Sequence, residues 1–201
     1  MTSEAFSAGR PSLEVLDAVL AAGVRLVQLR EKDKSKAELE ELAHVFRQKT
    51  REAGCLLIVN DHVDIALAVE ADGVHLGQGD LPVAEAKATA PDLLVGVSCH
   101  NAEQAVQAQA GGADYVNIGP IFPTATKPGH DRFLGAFAIL QIAPKLTISY
   151  TCMGGITEEN IDEVLAVGAR IVAVVSAVTA APDIEAAARA LRERIIRTRG
   201  G

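Results

Sequence analysis

The sequence predicts an α/β protein that closes as a TIM-type (β/α)8 barrel, one domain spanning residues 1–201. Three observations carry this. Short apolar runs recur along the whole chain, most ending at a polar residue or glycine, as buried parallel strands do where they meet a loop. Stretches of helical periodicity lie between those runs, so the chain reads as repeated βα units. Composition is even throughout, with no linker, repeat or low-complexity stretch, and no Gly-rich dinucleotide fingerprint follows any strand. That last point sets a barrel above an open doubly wound sheet.

The elements follow in order. A loop-like opening leads into a helix, SLEVLDAVLAAG, with Pro11 expected at its first helical position and Gly23 as its stop. The first apolar run is LVQLR (26–30), and the helix KAELEELAHVFRQKTREAG ends at Gly54. LLIVN (56–60) precedes the helix VDIALAVEA. GVHLG (73–77) precedes a short helix after Pro82. LLVGVS (93–98) is followed by AEQAVQAQAGG with its stop at Gly111, and then by YVNIG (115–119). TISYTCM (147–153) leads into EENIDEVLAVGA, which stops at Gly168. IVAVVS (171–176) and the helix DIEAAARALRERIIRTR complete the series. These are seven strands, one short of a barrel, and the strand expected ahead of the first helix is missing or truncated. Either the native start lies upstream of Met1 or something else takes that place, since an open edge would invite aggregation.

Composition narrows the function. Apolar residues at 49% and charged residues at 22% belong to a globular chain. Aromatics at 3%, with no Trp, require an aliphatic core and disfavour base stacking. Three widely spaced cysteines, Cys55, Cys99 and Cys152, do not make a disulfide scaffold. A net charge of −7 argues against a nucleic-acid or anionic-membrane surface. The opening MTSEAFSAGR has neither a basic start nor an apolar run, and IVAVVSAVTAA is too short to span a bilayer, so a soluble cytoplasmic protein is expected.

Catalytic groups of such barrels sit at the C-terminal ends of strands. On LVQLREK, alternation places Val27, Leu29 and Glu31 on one side, with the apolar pair against the outer helices. Gln28, Arg30 and Lys32 then point inward and toward the mouth. Two cations and an amide there suit an anionic ligand, although a cationic strand end paired with carboxylates has equal standing on this pattern alone. Asn60, Asp61 and His62 end the next strand, where Asp61 would also serve as the cap of the following helix. Asp80 could likewise cap the short helix after Pro82. Their position after consecutive strands would put both carboxylates on one face, and in the absence of a zinc-type Cys/His set the pair suits Mg²⁺.

His75, in mid-strand, reads as a packed or hydrogen-bonded core histidine. Ser98 lacks a nucleophile-elbow pattern and is assigned a hydrogen-bonding role, while Cys99 is expected to be inert. The loop GPIFPTATKPGH (119–130) is stiffened by three prolines and offers Thr124, Thr126 and Lys127 to a phosphate. Gly154 and Gly155 in MGGIT, with Ser176 after the last strand, occupy the two loops where barrels often hold a phosphate. The basic end RERIIRTRG reads as cations at a solvated helix C-terminus.

The blocks VQLREK, VNDHVDIALAVEADGVHLGQGDLP, GVSCH, ADYVNIGPIFPTATKPG, MGGIT and VVSA, in that order from Leu26 to Ala177, resemble the thiamine-phosphate synthase family. The resemblance implies a transferase that joins a hydroxymethylpyrimidine diphosphate to a hydroxyethylthiazole phosphate and releases pyrophosphate. It implies that Gln28, Leu29, Arg30, Glu31, Lys32, Asn60, Ser98 and Lys127 bind the pyrimidine diphosphate. Asp61 and Asp80 would hold Mg²⁺, and Thr124, Ala125, Thr126, Gly155, Val175 and Ser176 would bind the thiazole phosphate. Arg30, Lys32, Ser98 and Lys127 would act in catalysis. Pyrophosphate would leave dissociatively before the thiazole nitrogen attacks, with no covalent enzyme nucleophile.

The sequence departs from the family pattern at its opening strand, of which only Met1–Thr2 could remain, and in the run TISYTCMGGI. Partners are the two small phosphorylated substrates, with no nucleic acid and no membrane; a homo-oligomer is left open. A thiazole tautomerase on the same barrel is the nearest rival, but it would carry His where Pro120 stands and would lack the TATK run. A non-catalytic phosphate-ligand-binding barrel is the second. A Schiff-base lyase is disfavoured because Lys32 and Lys127 lie among anion-binding groups.

Overall fold

The computed structural model describes residues 1–124, 126 and 133–198. All seven apolar runs are strands of one sheet: β1 (Leu26–Leu29), β2 (Leu56–Asn60), β3 (Gly73–Leu76), β4 (Leu94–Cys99), β5 (Tyr115–Ile118), β6 (Ser149–Met153) and β7 (Val172–Ala173). They pair in chain order, every pair parallel. The helices are α1 (Ser12–Ala21), α2 (Lys36–Glu52), α3 (Val63–Ala68), α4 (Val83–Thr89), α5 (Ala102–Ala110), α6 (Phe137–Ile142), α7 (Ile161–Ala166), α8 (Ser176–Thr179) and α9 (Ile184–Arg197).

Local chemistry sets where the longer helices begin. Ser35 caps α2 in a reciprocal box, its Oγ accepting from Glu38 N while the Glu38 carboxylate accepts from Ser35 N at 2.8 Å. Asn101 and Asp183 accept from Gln104 N and Ala186 N, both at 2.9 Å, and so cap α5 and α9. Two helix ends read from Pro and Gly differ from expectation. Pro11 is not the first helical residue but the extended N-cap of α1 (φ −63°, ψ 148°), because proline's fixed φ suits either position and ψ decides. After α5 the left-handed turn falls on Gly112 (φ +94°), and Gly111 stays right-handed.

Alternation along the strands separates two environments. Val27 and Leu29, Leu57 and Val59, Val74 and Leu76, and Val95 and Val97 join the helices in one apolar cluster, together with the fully buried Phe46 of α2. Each such large side chain contributes about 1.5–3 kcal/mol by leaving water. The intervening residues Gln28, Asn60, His75, Ser98, Asn117 and Thr151 lie on the other side, where the sheet curls around a polar interior. Thr151 Oγ1 donates to Asn117 Oδ1 at 2.7 Å within it.

The opening residues join the two sheet edges. The Met1 amino group donates to Val174 O at 3.1 Å, and Thr2 N donates to Gln28 O at 2.8 Å, so two residues bridge the ends of β7 and β1. Further on, Thr179 Oγ1 donates to Phe6 O at 2.5 Å. The Glu31 carboxylate is buried and accepts from Glu4 N at 2.8 Å and from Ser12 Oγ. A cavity of about 380 Å³ lies between the edges, lined by Gln28, Leu26, Tyr115, Val172, Val15 and Leu191 among others.

Candidate active site

β1 delivers cations to the C-terminal end of the sheet. Gln28 is buried on the inner side. Lys32 Nζ stands 3.1 Å from Asp61 Oδ2. The Arg30 guanidinium forms no hydrogen bond or ion pair with any described residue. Leu29 is fully buried in the outer cluster, and Glu31 is turned to Ser12 and Glu4, so the side chains of these two predicted binding residues face away from Gln28.

Asn60 closes β2, and Asp61 then takes a left-handed backbone (φ +65°) whose N–H donates to His75 O at 2.8 Å. A non-glycine residue held there costs on the order of 1–3 kcal/mol and is found where a side chain must be aimed. Asp61 does not cap α3, whose N-cap is His62, and Asp80 does not cap α4, whose N-cap is Pro82. Instead Asp80 Oδ2 accepts from Gly77 N at 2.6 Å. Gly77 permits this, since a Cβ there would lie 2.9 Å from the same oxygen. Burial first, and then the adjacent Asp80 carboxylate, raise the Asp61 carboxyl above the ordinary range, while the Lys32 hydrogen bond opposes the rise.

Two adjacent carboxylates set against one lysine are a hard, under-neutralised oxygen pair, and they fit a hard divalent cation that takes its other ligands from phosphate and water. Among the described residues no group of three or more His, Cys, Asp or Glu side chains could hold a metal, so a cage made wholly of protein is absent there.

Ser98, at the end of β4, is held by a lateral chain of hydrogen bonds. His75 Nε2 lies 2.9 Å from Ser98 Oγ, and His75 Nδ1 lies 3.0 Å from Tyr115 Oη. The ring thus joins two hydroxyls, which agrees with its reading as a hydrogen-bonded core histidine. Gly96 makes the chain possible: a Cβ there would stand 2.0 Å from Tyr115 Cζ, so the tyrosine ring crosses β4 through the space a side chain would fill. Gln78 Nε2 adds a bond to Ser98 O at 2.7 Å. Tyr115 and Gln78 were missed in the sequence; a glycine in mid-strand is the signal that could have pointed to such a close approach. Cys99 is fully buried with its thiol pushed up to about 12 by desolvation, in keeping with inertness.

The loop after β5 meets the turn after β6. Ile121 N donates to Met153 O and Phe122 N to Gly154 O, each at 2.9 Å, laying the 119–124 segment on the turn after β6. At Gly155 (φ +63°) a Cβ would stand 2.3 Å from Pro123 O, so glycine is required both by the turn and by the contact. Thr124 Oγ1 and Thr126 Oγ1 are 2.8 Å apart. His100 Nδ1, also missed in the sequence, ties the start of the segment through Gly119 O at 2.6 Å. β7 ends at Ala173, so Val175 and Ser176 stand at the start of α8 and not on a strand. The predicted residues Ala125 and Lys127 lie outside the described residues. Among the described residues no helix is long and apolar enough to cross a membrane.

Cations, paired carboxylates and a threonine-and-glycine turn gather at the C-terminal ends of a curled parallel sheet, the arrangement of a TIM-like α/β protein. The family model described as thiamine monophosphate synthase matches residues 1–178, and the chain belongs to that family. It is 46% identical over 192 residues to the thiamine-phosphate synthase of Chloroflexus aurantiacus, covering 96% of this chain and 89% of that one. The Moorella thermoacetica thiamine-phosphate synthase is 46% identical over 193 residues, covering 96% and 92%. Among solved structures, the thiamine phosphate pyrophosphorylase of Pyrococcus furiosus superposes with a TM-score of 0.91 at 36% identity, covering 98% of this chain and 94% of the other. A 3-hexulose-6-phosphate synthase, at 21% identity and a TM-score of 0.70, shares the fold.

Proposed function

We propose that the chain is a thiamine-phosphate synthase, a transferase joining 4-amino-2-methyl-5-(diphosphooxymethyl)pyrimidine to 4-methyl-5-(2-phosphoethyl)thiazole. The observation that carries this reading is the gathering of Arg30, Lys32, Asp61, Asp80 and Ser98 at the ends of consecutive strands in a member of this family. The C–O bond to pyrophosphate breaks with its electron pair leaving on the pyrophosphate, and the thiazole nitrogen then forms the new C–N bond. Arg30, Lys32 and Lys127 neutralise the departing charge, Ser98 and Asn60 bind the pyrimidine diphosphate, and the barrel aligns the ring nitrogen. Asp61 and Asp80 would hold Mg²⁺, which when bound would supply further neutralisation of the developing negative charge. Thr124, Ala125, Thr126, Gly155, Val175 and Ser176 hold the thiazole phosphate.

We also infer that residues 1–201 form one domain whose sheet closes as a (β/α)8 barrel, with Met1–Thr2 in the eighth position. The bridging bonds to Gln28 and Val174 support this. The decisive experiment incubates the chain with both substrates, with and without Mg²⁺, and detects thiamine phosphate as fluorescent thiochrome. Product is expected only with Mg²⁺, and Asp61→Ala should abolish it while the protein stays folded. Near-normal turnover by Asp61→Ala would refute the metal assignment, and silence from the folded parent chain would refute the activity. Pro120, directly after Gly119, sets the tautomerase reading aside.

A further inference from the structure

The two cations that follow β1 are in different states. Arg30 is uncommitted among the described residues, whereas Lys32 already sits on a carboxylate, 3.1 Å from Asp61 Oδ2. Asp61 cannot easily move: its left-handed backbone is fixed by the bond from its N–H to His75 O at 2.8 Å, and Asp80 is pinned by Gly77 N at 2.6 Å. Lys32 can. Its side chain is 56% exposed, and lysine is a point charge on a flexible stem, so leaving Asp61 disturbs no backbone and incurs little desolvation cost. An ammonium group and a divalent cation repel one another, and both would be drawn to the Asp61 carboxylate.

We propose that Lys32 is an exchangeable counter-ion: it neutralises Asp61 in the substrate-free protein, yields that carboxylate to a divalent cation, and transfers its charge to the diphosphate bound beside it. This rests on the function proposed above. The consequence is a pair of changes with opposite signs. Removing the Lys32 charge should tighten binding of the metal alone and weaken binding of the phosphate group, whereas a residue that only binds phosphate would alter the second and not the first.

The test uses the full chain and its Lys32→Met variant, with Mg²⁺ alone and then inorganic pyrophosphate in saturating Mg²⁺, followed by calorimetry. Mg²⁺ should bind the variant about two- to five-fold tighter, the range an exposed ion pair spans. Pyrophosphate should bind roughly 10- to 150-fold weaker, as for a lost hydrogen bond to a charged group. Lys36→Met is the control, since Lys36 pairs with Asp64 and its loss changes net charge equally. Its Mg²⁺ affinity should match that of the parent. Unchanged or weaker Mg²⁺ binding by Lys32→Met, or equal tightening by Lys36→Met, overturns the exchange while leaving the proposed function standing. Failure of the parent chain to bind Mg²⁺ at all removes the metal assignment and the exchange together.

Discussion

Gly96→Ala is the sharpest perturbation the structure offers. A Cβ at this position would lie 2.0 Å from Tyr115 Cζ, 2.3 Å from Cε1 and 2.4 Å from Oη, all at the far end of the ring. That end is not free to yield, because Oη is bound to His75 Nδ1 at 3.0 Å. Either the ring is forced aside and the hydrogen bond is lost, or β4 shifts away from its partner β5. Overpacking costs about 1–3 kcal/mol, and the lost bond about 1 kcal/mol. The sum, roughly 2–4 kcal/mol, should lower Tm by about 4–16 °C in a domain of this size. The assay is a thermal and urea denaturation cycle in two backgrounds. Tyr115→Leu lacks all three atoms that the new methyl would meet, so Gly96→Ala made in that background should cost less than about 1 kcal/mol. If Gly96→Ala destabilises both backgrounds equally, the clash is not with the tyrosine ring and the lateral chain to Ser98 is not what this glycine serves.

The remaining expectations concern stability and reactivity. Burial pushes the Cys55 thiol up to about 11 and those of Cys99 and Cys152 to about 12, so a thiol-titrating disulfide reagent at pH 8 should label none of the three in the native protein and all three after denaturation. Glu4 is held below its ordinary 4.5 first by the side-chain hydrogen bond from Lys34 and then by Ser12 N–H; its contribution is complete above 4.5 and is lost as the pH falls through the lower folded value. The stability gap between the parent and Glu4→Gln should therefore be open at pH 7 and close in acid, as read by denaturation at several pH values. Ser12→Ala removes one of the two donors to the buried Glu31 carboxylate and should cost about 1–3 kcal/mol, seen as a lower urea midpoint with unchanged slope.

All seven strands were legible in the sequence because each is a short apolar run, most ending at a polar residue or glycine, the one-dimensional trace of a buried parallel strand. The strand-end rule likewise located Arg30, Lys32, Asp61, Asp80 and Ser98. What was hidden depends on register or on distant partners. Tyr115 reaches His75 only because Gly96 lies opposite it across the ladder, a pairing no local window contains. Glu31 looked like a residue of the site because it lies inside LVQLREK, but its partners, Glu4 and Ser12, come from the opening segment. Asp61 was ambiguous for a physical reason: aspartate favours helix caps and also tolerates left-handed backbone, so the same residue type signals both. Gly111 and Gly112 posed the same difficulty in adjacent positions.

The bridge from Met1 and Thr2 to Val174 and Gln28 also bears on the order in which the chain can fold. Each strand from β2 to β7 pairs with one already made, so the sheet can be laid down progressively as the chain emerges during synthesis. The seam cannot. Met1 waits for Val174, Phe6 for Thr179 and α1 for α9, contacts that span almost the whole chain. Such distant pairings bear the full loop-closure entropy and come late. Until α9 is complete, one flank of the polar interior stays open, and residues 1–6 are among the last to find their places.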